Sequence, residues 1–163
     1  NWLEGCFVKK KKLDTVDYQI LRLVQDNARI TNSDLSKKTG ISAPPTLRRL
    51  RALENEGVIE GYHAKINKDA LGYEVVAWAL VGLKNQSEDD LRAFEKIVWG
   101  WPLVRECHML SGEVDFILKC VAKNLTDFKI FLADELTAAP NVSNVKTSLE
   151  IRKIKNLPGI PLE

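Results

Sequence analysis

The chain has 163 residues, of which 45% are hydrophobic and 28% charged, a balance that fits a globular protein and excludes a disordered or fibrous one. Lys and Arg total 24 against 22 Asp and Glu, so the net charge of +2 argues for no particular partner. No apolar run approaches the ~20 residues of a membrane-spanning helix. Cys6, Cys107 and Cys120 lack C-x-x-C spacing, which suits neither a disulfide framework nor a zinc motif and points to a reducing cytoplasm.

The apolar stretch at residues 6–8 is too short for the core of a signal peptide, and lysines follow it rather than precede it. Residues 1–7 are set apart as an appended or processed end, and residues 1–12 as a tail. Charge is unevenly spread. Residues 1–61 hold 11 basic and 8 acidic side chains, whereas residues 62–163 hold 13 and 14. The basic residues of the first part fall in patches: residues 9–12, Lys37 with Lys38, and Arg48, Arg49 and Arg51. Such patches suit phosphates, although a solvated face accounts for any one of them.

Asp14 is placed to cap a first helix, with Asp17 in its first turn, and Val16, Ile20, Leu23 and Val24 form one apolar stripe at helical spacing. Residues 25–27 end it. Thr31 and Asp34 open a short second helix that carries Leu35 inward and stops at Gly40. Ser42 caps a third, with Pro44 and Pro45 in the first turn, where a missing N–H costs nothing. Leu47, Leu50 and Leu53 are assigned to its buried side, and Gly57 closes it. Residues 58–64 read as two short strands around Gly61. Two helices joined by a tight Gly turn, the second bearing arginines, predict a helix-turn-helix, and the trailing hairpin a winged version. In that arrangement the start of the second helix reaches base edges and the flanking cations hold phosphates. This assigns base contact to Ala43, Pro45, Thr46 and Arg49 in a helix opened by Ser42, and phosphate contact to Lys37, Lys38, Arg48 and Arg51. A plain three-helix bundle is the alternative.

After a linker at residues 63–73, residues 75–83 read as an apolar strand. Ser87 and Asp90 open a helix with Leu91, Phe94, Ile97 and Val98 on one side, ended by residues 99–102. Strands follow at residues 104–110 and 115–121, joined by a turn at residues 111–113. Asn124 or Thr126 opens a last helix that Pro140 and Asn141 break, and residues 142–154 read as a long final strand. The order β-α-β-β-α-β is the ferredoxin-like unit, so the fold is α+β: a winged helix-turn-helix at residues 13–62 and a βαββαβ domain at residues 74–155, with a tail at residues 156–163. Both helices cover one face of the sheet. Val75, Ala77 and Leu118 are assigned to the other, and that apolar face predicts a homodimer, whose two-fold axis suits a palindromic DNA site.

With both halves assigned, the chain resembles the Lrp/AsnC family of leucine-responsive and asparagine-operon regulators. The first motif is Leu13-Asp14-x-x-Asp17-x-x-Ile20-Leu21, continued by residues 28–38, by Gly40-Ile41-Ser42 and by Arg49-Leu50-Arg51-x-Leu53-Glu54-x-x-Gly57-x-Ile59-x-Gly61-Tyr62. The second is Glu106-Cys107-His108-x-x-Ser111-Gly112-Glu113-x-Asp115-Phe116-x-Leu118-Lys119, and the third Pro140-x-Val142. The resemblance implies a transcription regulator with a ligand-sensing RAM domain, dimers that assemble further, often to octamers, and an amino-acid effector held between sensing domains. It places the effector loop at Ser111, Gly112, Glu113 and Asp115, with Met109 beside it and Leu125, Ser148 and Leu149 across from it. Backbone N–H groups at a Ser-Gly turn suit a carboxylate, and Asp115 an ammonium. Capping of a tight turn accounts equally for Glu113 and Asp115. The chain departs from the family pattern at Glu113, where Asp is usual, and at Ser148 and Glu150, where apolar residues are frequent.

No cofactor and no metal site is expected. His108 and Cys107 are adjacent and so point to opposite sheet faces, which disfavours a site with Cys120. No nucleophile or acid–base constellation marks an enzyme, and the arginine-bearing helix argues against a pure sensor. The expected function is sequence-specific regulation of transcription on double-stranded DNA, in the cytoplasm at the nucleoid and without membrane contact. An architectural DNA-binding protein with little sequence preference is the alternative.

Overall fold

The structure, a computed structural model, describes residues 12–162. Cys6, residues 1–7 and lysines 9–11 of the first basic patch lie outside the described residues. Two compact units are present, one of Asn1–Lys65 with Lys155–Glu163 and one of Ile66–Ile154.

In the first unit, α1 spans Thr15–Asp26, α2 Asn32–Thr39 and α3 Ala43–Asn55. The local signals act as their chemistry requires. Asp14 and Asp17 form a reciprocal capping box on α1, and Thr31 accepts the Asp34 N–H at the start of α2. Gly40 ends α2 with a φ of 73°, a left-handed turn that lets α3 begin almost at once. Ile20, Val24, Leu35 and Leu53 make the buried centre. Three readings change here. Leu47 is not part of that centre; it lies half-buried on the outward side of α3, and Thr46, wholly buried, takes the inward position. Residues 58–64 form no hairpin. The N–H groups of Val58 and Ile59 both donate to the Leu53 carbonyl, which closes α3 and leaves arms too short to pair. The last residues of the chain group with this unit rather than forming a free tail.

The second unit starts with a single 3-10 turn at Asp69–Leu71. Then follow β1 (Val75–Leu83), α4 (Glu88–Val98), β2 (Val104–Met109), β3 (Phe116–Ala122), α5 (Leu125–Ile130) and β4 (Val142–Leu149). A π-helical turn, Phe131–Leu136, extends α5. The sheet is antiparallel with order β2-β3-β1-β4, the ferredoxin-like arrangement. Ala77, Ala79, Val81 and Leu83 of β1 pack with Phe116, Leu118 and Cys120 of β3 beneath Leu91, Phe94, Phe128 and Phe131 of the helices. Phe94 lies 4.8 Å from Phe116 and 6.0 Å from Trp101 between ring centres.

The face assigned to Val75, Ala77 and Leu118 is therefore the covered one, and the open face carries Trp78, Leu80, Ile117 and Val121 instead. Nearly every residue of β1 is apolar, so alternation alone set no phase, and the helices fixed it. A bulge at Arg105 inserts one residue into β2, pairing Val104 with Cys120 but Glu106 with Lys119. Glu106 and His108 thereby join the open face while Cys107 turns into the core. The final strand stops at Leu149 rather than at residue 154. Leu149 pairs with Ala77, and β1 begins only two residues earlier, so nothing remains to pair beyond a last bond from Glu150 N–H to Val76 O.

Phe94→Ala removes the ring at the centre of this aromatic group. It is expected to cost the second unit about 3–5 kcal/mol, read by denaturant unfolding through the fluorescence of Trp78 and Trp101.

Candidate nucleic-acid interface

The start of α3 is the tip that a helix-turn-helix offers to DNA, and its placement depends on the residues behind it. Asn32, first in α2, donates from Nδ2 to the Ala43 carbonyl at 3.1 Å and ties the two helix starts together. Thr46, expected at a base edge, is 0% exposed, and its hydroxyl donates to the Ser42 carbonyl at 2.9 Å. It braces the start of α3 from within.

Arg49, also expected to read a base, is committed elsewhere. Its Nη1 stands 2.8 Å from Asp17 Oδ1 and 2.7 Å from Asp14 Oδ2. The Asp17 side chain is only 10% exposed, so its charge requires a partner. Hydrogen bonding to Asp17 and then to Asp14 pushes the Arg49 guanidinium further up from its ordinary value. The Asp17 backbone N–H holds the Asp14 carboxyl below its ordinary value; burial opposes this, and Arg49 adds to the lowering. The same two carboxylates that start α1 thus grip α3 from the side.

The outward side of α3 carries Pro44, Leu47, Arg48, Arg51, Ala52 and Asn55, which recur at helical spacing around a shallow groove of about 490 Å³. Arg48 and Arg51 are exposed and have no ion-pair partner among the described residues. Ser42 is exposed at the tip, and Ala43 and Pro45 are half-buried beside it. Lys37 and Lys38 are exposed in the last turn of α2, where they also complement the helix dipole. Sequence reasoning missed Pro44, Leu47 and Asn55. The stripe containing Arg48 and Arg51 was the available signal, once Thr46 rather than Leu47 is placed inward. Behind α3, the Tyr62 hydroxyl donates to Glu54 at 2.7 Å; burial, and then that bond, push its phenol up to about 12.

The eight residues expected around an effector are not brought together within one chain. The Asp115 carboxylate accepts the Leu83 N–H at 2.6 Å, and its own N–H donates to the Val81 carbonyl. Ser111, Gly112 and Glu113 are exposed at that end of β1, with Met109 half-buried nearby. Ser148 pairs with Trp78 and Leu149 with Ala77 on β1's other neighbour, and Leu125 follows the Ala122–Val75 pair at the opposite end. Strand spacings put roughly 15 Å between the two groups. Burial pushes the Cys107 thiol up to about 11 and that of Cys120 up to about 12, so both stay protonated near neutrality.

Arg49→Ala strips the pair from Asp17, and a fall of roughly 5 °C in the melting temperature of the DNA-binding unit is expected, with Arg48→Ala leaving it unchanged. The Asp14 contribution has a definite pH window. A depressed carboxyl pKa stabilises the fold above its ordinary value of about 3.9, and the benefit disappears as pH falls through the lowered value. Acid titration followed by circular dichroism should show that loss in the native chain and a smaller one in Asp14→Asn.

Residues 13–60 match the winged helix-turn-helix DNA-binding family, and residues 76–160 match the Lrp/AsnC ligand binding domain. The leucine-responsive regulatory protein of Rhizobium meliloti is 54% identical over 91% of this chain and 96% of its own length. The Bkd operon transcriptional regulator of Pseudomonas aeruginosa is 34% identical over 93% and 99%. Among solved structures, a Neisseria meningitidis transcriptional regulator in complex with L-Met superposes with a TM-score of 0.87 at 31% identity, covering 92% of this chain and 97% of that one. An AsnC family regulator from Agrobacterium tumefaciens gives a TM-score of 0.86 at 27% identity, with the same coverage. Both domains and their order are therefore those of one known group of regulators, and the chain belongs to the Lrp/AsnC family of transcriptional regulators, with a DNA-binding helix-turn-helix and a ligand-binding domain.

Proposed function

We propose that the outward stripe of α3 reads the major groove of a pseudo-palindromic DNA site, and that an amino acid bound between two ligand-binding domains biases which contacts form. The observation that carries the first part is the division among the arginines: Arg49 is held by Asp14 and Asp17, while Arg48 and Arg51 face outward. Ser42, Ala43 and Pro45 then approach base edges at the tip. Arg48 lies one turn further along, and Arg51, Lys37 and Lys38 hold phosphates.

The second part rests on the open sheet face. Trp78, Leu80, Ile117 and Val121 give it an apolar centre, and Lys119 lies 5.7 Å over the Trp78 ring while pairing with Glu106. A second copy covers such a face by symmetry. It also brings a loop of Ser111, Gly112 and Glu113 toward the Leu125, Ser148 and Leu149 end of a neighbour, which one chain alone cannot do. Trp99, 91% exposed, and Ile130 supply further apolar surface for assembly of dimers toward an octamer. The relative named for its leucine response and the neighbour holding L-Met support an aliphatic amino acid as effector. The site of action is the cytoplasmic nucleoid.

Mobility shifts test the reading helix. Arg48→Ala and Arg51→Ala are each expected to weaken binding about tenfold and to lower the salt dependence by about one counterion per lost phosphate contact. Retention of full affinity by both would remove α3 from the interface. Light scattering is expected to give an even multiple of 18.4 kDa, and a monomer would overturn the covered face. In a thermal-shift screen of the twenty amino acids, an effector at about a hundred times its Kd adds roughly 2.7 kcal/mol of stability; no response to any of them would exclude this effector class.

A further inference from the structure

The DNA-binding unit is not one continuous stretch of chain. It takes in Lys155–Glu163, which follows the ligand-binding unit in the chain. The returning segment is gripped by its main chain. Gln25, in the last turn of α1, donates from Nε2 to the Ile160 carbonyl at 2.9 Å and accepts the Ile160 N–H on Oε1 at 3.0 Å. One side-chain amide thereby satisfies both polar groups of one residue, as an adjacent strand would.

The sequence of the segment fits this grip. Gly159 adopts a φ of +62°, where a side chain is strained, and a Cβ there would stand 1.9 Å from Gln25 Oε1, so Gln25 would have to swing away and give up its bonds. Pro158 and Pro161 flank the contact. They leave Gly159 and Ile160 as the only N–H donors between them, and they lower the entropy lost when the segment is ordered. Between the segment and the rest of the unit runs an open groove of about 660 Å³, with Leu21 and Val24 of α1, Ala28 beyond it, Val58 and Ile59 on one side and Pro158, Ile160 and half-buried Leu162 on the other.

We propose that the end of α1 is a docking site for the chain's own C-terminal segment, with Gln25 and Gly159 as its lock. The segment forms the outer wall of the groove that residues 58 and 59 line from within. The DNA-binding unit is then joined to the ligand-binding unit by two chain connections, the linker after Lys65 and the run from β4 through residues 150–154. Ser148 and Leu149 end β4 where the second connection begins, so an effector contact there would bear on the start of the run that leads to the docked segment; this consequence alone rests on the proposed function.

Hydrogen exchange at short labelling times on the full-length protein tests the docking. The peptide containing Ile160 is expected to exchange roughly tenfold faster in Gln25→Ala. Gln25→Glu, which loses the donor, and Gly159→Ala are expected to do the same. Asn156→Ala, at an exposed position outside the contact, should match the unaltered chain. Circular dichroism on the same samples separates undocking from unfolding, and their DNA affinity is measured apart, so failure of one reading leaves the other intact. Equal exchange in all variants would overturn the proposal. So would protection that fades on hundredfold dilution, because the segment would then come from another copy.

Discussion

A carboxylate withdrawn from water must find a cation, and Asp17 finds Arg49. That requirement organises the DNA-binding unit. Asp17 sits one turn into α1, where it completes the capping box with Asp14, and the Arg49 guanidinium stands close to both carboxylates. The rotation of α3 about its axis is consequently fixed by charge as well as by Leu50 and Leu53. A helical step of about 100° per residue then does the rest. Arg48 and Arg51 are three apart and share the outward face, whereas Arg49 is turned away from it. Three arginines that look alike in the sequence separate into an anchor and two surface cations.

The second unit is governed by a different constraint, burial on one side only. Helices α4 and α5 cover the face of Ala77, Ala79 and Val81 and leave Trp78 and Leu80 half-covered. Bulges adjust the edges to this plan. The extra residue at Arg105 turns the Glu106 carboxylate outward to meet Lys119, whose ammonium also lies over the Trp78 ring. The result is an apolar centre in which Lys119 is already neutralised by Glu106, while Lys146, opposite Leu80, remains exposed at its edge.

Short-range chemistry was legible in the sequence. Asp14, Thr31 and Ser87 cap three helices as read, and Gly40 ends one, because capping involves only residues within a turn of each other; Ser42 stands at the start of α3 but its side chain makes no cap bond. Longer-range choices were not. The partner of Arg49 is 32 positions away in Asp17, and nothing local to α3 announces it. Thr46 looked polar and available, yet its hydroxyl bonds to its own helix and its methyl group goes inward. The phase of β1 was hidden by an unbroken apolar run, and the end of β4 is set by where β1 begins. The Gln25–Ile160 contact joins residues 135 apart and consists of main-chain recognition, which leaves almost no trace in side-chain pattern beyond Gly159 between two prolines.

The loop at Ser111 shows how a structural duty narrows a chemical one. One Asp115 oxygen accepts the Leu83 N–H, and the Asp115 N–H reaches Val81, so this residue fastens the loop to the end of β1. A carboxylate so engaged has less to give an ammonium. On the proposed reading, the free acid of the loop is Glu113, exposed and one methylene longer than the Asp usual in the family. The added length moves its charge outward from the turn, toward whatever chain packs against it. Recognition of an amino group would then depend on the neighbouring copy bringing the ligand to Glu113, which places specificity in the assembly rather than in the single chain.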